Sequence, residues 1–278
     1  MTNLLDAPID QAWLAFGAGL VLLAAVQAWF GAAFAGAGVL RRGTTLLLDV
    51  ALASLAVGLA LRWTRIGHGP FVGLFEILAS NLLSLGLLWR LASARWAVLR
   101  ASAPVAMSLL GVLAAWLWVA APVDTHLPAT YEMTVLWFHV GLGKVFLGCA
   151  LIATGLAGVV LARATARGRA WFAAMPDDAR LDAIAWRFML AALVFESLML
   201  VAGAVWAQDA WGRYWDWDPL ETWAFLTWLV LSGAVHARIT WRIGPRVGAL
   251  LIVAVFAIAF FTFFGVPFVS LAPHKGAV

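Results

Sequence analysis

Eight apolar runs confine this chain to one kind of fold. They lie near 12–34, 44–63, 71–89, 98–121, 138–162, 186–206, 220–240 and 247–270. As a helix, each is long enough to cross about 30 Å of hydrocarbon. With 64% hydrophobic and 12% charged residues and a mean hydropathy of +0.95, the composition is that of a membrane protein. The expected fold is an all-α polytopic bundle of about eight transmembrane helices. Residues 1–278 read as one integral-membrane domain, with no internal repeat, low-complexity tract or soluble domain.

Arginine placement sets the orientation. Arg41 and Arg42 follow the first run, and Arg90, Arg95 and Arg100 follow the third. Arg163, Arg167, Arg169, Arg180 and Arg187 follow the fifth, and Arg238, Arg242 and Arg246 the seventh. Thirteen of the sixteen arginines thus share one set of alternating loops. The positive-inside rule makes those loops cytoplasmic and puts both termini on the outer side. A pI near 10 follows from the same arginines, so topology explains the charge and nucleic acid is not an expected partner. Met1 to Asp10 carries Asp6 and Asp10 and no basic residue, the reverse of a cleavable signal. The single cysteine, Cys149, excludes a disulfide framework, a Cys-x-x-Cys pair and a c-type haem attachment site on this chain. In the long loop 164–185, Met175–Pro176–Asp177–Asp178 reads as a helix cap, and Gly141, Gly143, Gly148, Gly155 and Gly158 mark the fifth span as closely packed.

One polar stretch stands out among these runs. Residues 211–230 hold Trp211, Trp215, Trp217, Trp223 and Trp228, five of seventeen tryptophans, where an outer loop of about 206–228 turns into the seventh span. Asp218, Pro219 and Glu221 read as a helix start: a capping carboxylate, proline at the first position and an acid completing a capping box. Tryptophan favours the membrane interface. Three of them on one short loop also make a platform for a flat, apolar, polar-edged ligand such as a porphyrin. Both readings stand on composition alone.

The histidines divide in the same way. His68, His126, His139 and His274 fall on the outer side. His236 lies fifteen residues beyond Glu221, about 22 Å down a helix and near the inner boundary. Imidazole suits an axial position on haem iron, which takes one ligand on each face. An outer-loop histidine is also often simply solvated. Asp49, Glu76, Lys144 and Glu196 are costly inside spans and call for interior partners. Lys144 sits about one turn below His139, where it serves the outer site or forms an ion pair with Glu196.

Trp-Gly-x-x-Trp-x-Trp-Asp-Pro-x-Glu-Thr-Trp over 211–223, a histidine late in the following helix and a last histidine after the final span resemble the WWD cytochrome c assembly proteins. The chain is most similar to the CcsA/ResC type of the system II pathway. The resemblance is close over about half the chain, from the loop before span five to the C-terminus. It is fainter at Gly67–His68–Gly69–Pro70 and Leu74–Phe75–Glu76. It implies that His139 and His274 are the outer axial ligands of a non-covalently held haem b. It implies that His236 is an inner ligand completed by a CcsB/ResB-type partner. Trp211, Trp215, Trp217, Asp218, Trp223 and Trp228 form the haem platform, with His68, Glu76 and Lys144 as secondary candidates. Leu220 replaces a usual lysine, Asp216 a small residue and Gly73 an asparagine, and Arg213 substitutes as the propionate contact.

The implied function is haem delivery across or within a bacterial-type cytoplasmic membrane. Haem is presented at the outer face for thioether attachment to an apocytochrome c bearing Cys-x-x-Cys-His. The chain would be the haem-handling subunit of a holocytochrome c synthase and supplies no catalytic nucleophile, its contribution being positioning. Two alternatives stay open: a haem-binding regulator or transporter of the same superfamily without attachment, and a b-type membrane electron carrier.

Overall fold

The computed structural model describes residues 8–34, 38–69 and 72–266, and no strand occurs among them. Over its described residues, every apolar run is predominantly helical. The helices are α1 (Ile9–Ala33), α2 (Gly38–Ile66), α3 (Leu74–Arg95), a short α4 (Ala97–Ala101), α5 (Ala103–Val119), α6 (Thr134–Ala162), a short α7 (Ala166–Trp171), α8 (Asp178–Trp211), α9 (Pro219–Trp241) and α10 (Pro245–Phe260). A π-helical turn, Phe261–Gly265, continues α10. Among the described residues, six helices are long and apolar enough to cross a membrane: α1, α2, α3, α6, α8 and α10 with its π turn. The protein is an all-α polytopic membrane protein.

Helix limits follow local chemistry. The run expected over 98–121 is broken at Ser102. Pro104 sits in the first turn of α5, where its missing N–H is not needed. Asp177 caps α8 by accepting from the Arg180 amide at 2.8 Å, as its Pro-Asp-Asp context suggests. Gly212 ends α8 in the left-handed conformation at φ +75°, where glycine carries no Cβ penalty. At 34 residues, α8 runs about 50 Å and extends past its apolar run on both sides.

The chain forms two compact units. The first comprises Met1–Leu127 with Thr165–Met175, the second Pro128–Ala164 with Pro176–Val278. In the first, α1 lies tightly along α2, and a Cβ on Gly17 would meet Leu55 at 2.8 Å. Arg62 of α2 is fully buried and gathers carboxylates from other helices. Its Nε donates to Glu76 at 2.5 Å, Nη1 to Asp10 at 3.4 Å and Nη2 to the Val123 carbonyl at 2.8 Å. Arg65 pairs with Asp10 and Asp124. Asp124 is thereby held below the usual carboxylate range, chiefly by its bond to Arg65. Arg62, Arg65 and Arg213 are the three arginines off the arginine-rich loops, and each is ion-paired, Arg213 with Asp216. Asp49, anticipated to need a partner, meets Arg90 at 2.6 Å.

In the second unit, α6 runs along α8 and α10. Gly143, Gly148 and Gly155 are buried in α6, as close packing requires. Gly141 has nothing within 4 Å of an added Cβ, so it marks no close approach.

Candidate functional site

The tryptophan loop is held from its helix end. Asp218 caps α9, accepting from the Glu221 amide at 2.9 Å, and Pro219 takes the first position. The reciprocal arm of the expected capping box is shifted: Glu221 accepts from the Asp216 amide at 2.8 Å rather than from the cap residue. This bond spans the loop and pulls it back over the helix start. Trp217 pays in strain, sitting at φ +57° with its ring 67% exposed. The Trp215 indole nitrogen is buried without an acceptor.

Among the described residues, the rings anticipated as a platform make these contacts. Trp215 stands edge-on to Trp217 at 5.6 Å and to Phe225 at 6.0 Å, and Phe225 stacks on Trp228 at 5.9 Å. Trp228 donates to the Ser197 hydroxyl of α8 at 2.8 Å. Trp223 meets Phe261 of the π turn at 4.7 Å, beside a Thr227–Thr262 hydrogen bond of 2.8 Å. Trp211 stands edge-on to Trp206 at 4.8 Å. Ser197 and Trp206 are nine residues apart on α8, two and a half turns, so these two contacts lie on opposite faces of that helix.

His139 lies with the Trp206 group. Its ring stacks on Trp206 at 6.3 Å, and Tyr131 meets the same indole at 5.6 Å. Trp206 is 2% exposed and donates to the Thr130 carbonyl, fixing it in place. Burial raises the Tyr131 phenol above its ordinary range, which keeps it neutral. His139 Nδ1 is 2.9 Å from the Met199 carbonyl oxygen. A carbonyl only accepts, so Nδ1 carries the proton, and in the neutral form of the ring the lone pair is then on Nε2. Metal-binding imidazoles are commonly oriented in this way. Gly203 makes the approach possible, since a Cβ there would lie 2.8 Å from His139 Cε1 and 2.9 Å from Nδ1.

Trp206 and Gly203, which pack against the His139 ring, are positions that sequence reasoning did not select. Both lie in an apolar run where nothing distinguishes them locally. Glu196 shares their face of α8 and is fully buried, and neither carboxyl oxygen has a hydrogen-bond partner. The anticipated Lys144–Glu196 ion pair is therefore not made.

The other candidates fall as follows. His236 is exposed on α9, with Nε2 3.4 Å from the Thr240 hydroxyl. Arg213 is engaged by Asp216 within the loop. His68 is buried in the first unit, its ring nitrogens 3.0 and 2.7 Å from the Gly69 and Thr125 carbonyls, and Glu76 serves Arg62. Both of these anticipated secondary residues make contacts within the first unit. Gly73, where an asparagine was expected, leaves room for Glu76: a Cβ would lie within 2.4 Å of Oε2. His126 is exposed. His274 and Pro70 lie outside the described residues.

Comparisons with known proteins point one way. Residues 72–274 match the family model described as cytochrome C assembly protein. The cytochrome c biogenesis protein CcsA of Parasynechococcus marenigrum is 30% identical over 298 residues, covering 94% of each chain. The protein of the same name from Prochlorococcus marinus is 41% identical over 95 residues, 34% of this chain and 31% of the relative. Among solved structures, the cytochrome c heme lyase CcmF superposes with a TM-score of 0.67 at 19% identity, over 93% of this chain and 47% of that one. This chain thus spans about half the length of the lyase, and at that identity the likeness speaks for the fold.

Proposed function

The chain belongs to the cytochrome c assembly protein family, and on that premise we propose that it holds haem at the outer face of a bacterial-type cytoplasmic membrane for attachment to apocytochrome c. Haem, in this reading haem b, is the substrate. The observation that carries the reading is His139: a single imidazole whose tautomer is set by the Met199 carbonyl and whose ring is stacked on a buried indole.

His139 and His274 are the proposed axial ligands. A ring oriented before haem arrives loses little freedom on binding, so affinity is gained through pre-organisation. Trp206 and Trp211 bound the His139 side, and the exposed Trp217 is the loop ring presented outward. For Arg213 to reach a propionate it must exchange Asp216 for that carboxylate. His236, exposed on α9, suits an inner ligand completed by a CcsB/ResB-type partner.

The chain supplies positioning and a water-poor surround. The thiols come from the Cys-x-x-Cys-His segment of apocytochrome c and the vinyl groups from haem. In each addition the sulfur bonds to one vinyl carbon and the thiol proton goes to the other, with no net oxidation.

Co-expression with a CcsB/ResB-type protein and a Cys-x-x-Cys-His reporter tests the reading. The expected result is haem that stays on the reporter through denaturing electrophoresis. Haem bound to this chain with none attached to the reporter would replace attachment by transport or regulation.

A further inference from the structure

We propose that the first unit holds a binding site for an anionic phospholipid, at the end that bears the arginine-rich loops. A cavity of about 350 Å³ opens there, lined by Arg41, Arg42 and Arg100 with Trp89, Trp171 and Phe172. Four features of its lining specify the occupant.

The first is charge. Among the described residues, the lining contains three arginines and no carboxylate. Neither Arg42 nor Arg100 is ion-paired among the described residues, and Arg41 reaches only the Gly31 carbonyl, at 3.4 Å. By contrast, Arg62, Arg65 and Arg90 of the same unit are all neutralised by carboxylates. The second is an unmet donor. Trp89 is 4% exposed, and its indole N–H is buried without an acceptor. An oxygen of an anion seated in the cavity supplies that acceptor.

The third is shape. Ala28, Gly31 and Ala32 on α1 leave room, opposite a wall made rigid by Trp29 standing edge-on to Trp171 at 5.7 Å and to Phe172 at 6.4 Å. An apolar body is accommodated there beside the charge. The fourth is that no histidine occurs among the described lining residues, which favours a phosphate-bearing amphiphile over iron porphyrin. Basic pockets between transmembrane helices, near the membrane surface, bind anionic headgroups by this chemistry.

The test is native mass spectrometry of the full chain, purified in detergent and exchanged against equal amounts of phosphatidylglycerol and phosphatidylcholine. Wild type is expected to retain phosphatidylglycerol with a several-fold preference. The R41Q/R42Q/R100Q variant should lose that preference, and W89F should weaken it. If the triple variant does not fold, W89F carries the test alone. Equal retention of the two lipids by wild type, or an unchanged preference in W89F and in any folded triple variant, overturns the proposal. Displacement of phosphatidylglycerol by hemin assigns the cavity to porphyrin carboxylates, and displacement by inorganic phosphate assigns it to a free anion. Either result also overturns it.

Discussion

Arg62 and Glu196 are both fully buried ionisable side chains, one in each unit, and they differ in how far their polar atoms are met. Arg62 is met by Glu76, Asp10, a backbone carbonyl and the face of Phe75 at 5.0 Å. Glu196 has no hydrogen-bond partner on either oxygen, and it shares its helix face with Gly203 and Trp206 beside His139. A buried charge network with its partners in place fixes helices to one another. Unmet polar groups, a strained Trp217 and an oriented imidazole are features a fold retains where something else is to bind. The contrast is one of degree, since Glu76 Oε2 in the Arg62 network is also unmet; under the proposed function the second region is the one that binds.

The largest effect is expected at the Arg62 network. Arg62→Ala leaves Glu76 buried without its cation and Asp10 with Arg65 alone, and should cost about 3–5 kcal/mol, read as lost thermal stability in detergent. Glu196→Gln should leave thermal stability unchanged or raised, since no bond is lost. Equal destabilisation by the two would break the comparison.

Gly203→Ala comes next. Its methyl group collides with the His139 ring, and overpacking of this kind costs about 1–3 kcal/mol. Displacing His139 should also change the absorption of bound haem. An unaltered spectrum in a destabilised protein would mean that Gly203 serves packing alone. Asp218→Ala removes the cap of α9, for about 1 kcal/mol. It should loosen the tryptophan loop, visible as faster proteolysis there.

Much of this was legible beforehand, and for definite reasons. Apolar runs report spans directly because lipid sets their length, and the Asp218–Pro219–Glu221 start was readable because capping is local. The carboxylate needs of Asp49 and Glu76 were readable as costs, but which arginine answers each depends on how helices meet. His139 was visible as an imidazole. Its partner, the Met199 carbonyl, is a backbone group that no sequence displays, and Gly203 matters only through what it leaves empty. The tryptophans were countable, yet their division between two faces of α8 follows from the turn at Gly212 and the bond from Trp228 to Ser197.

The smallest effect is acid sensitivity in the first unit. Asp124 has a folded pKa depressed below its ordinary 3.8 by Arg65. Its pair with Arg65 therefore contributes fully above that pH, and the contribution is lost as pH falls through the lower folded value. The pair is partly exposed, so solvent screening keeps it below about 1 kcal/mol. Asp124→Asn should lower stability slightly at neutral pH and flatten the profile on the acid side. The same acid slope in the variant would show that the pair is not the source.

The most direct test is the absorption spectrum of the purified chain, with its partner, in wild type and in His139→Ala, His274→Ala and His126→Ala. Two outer imidazoles holding one haem predict that the first two substitutions strip or loosen haem while His126→Ala leaves the spectrum intact. Equal spectra from all three, or equal losses, would contradict that account.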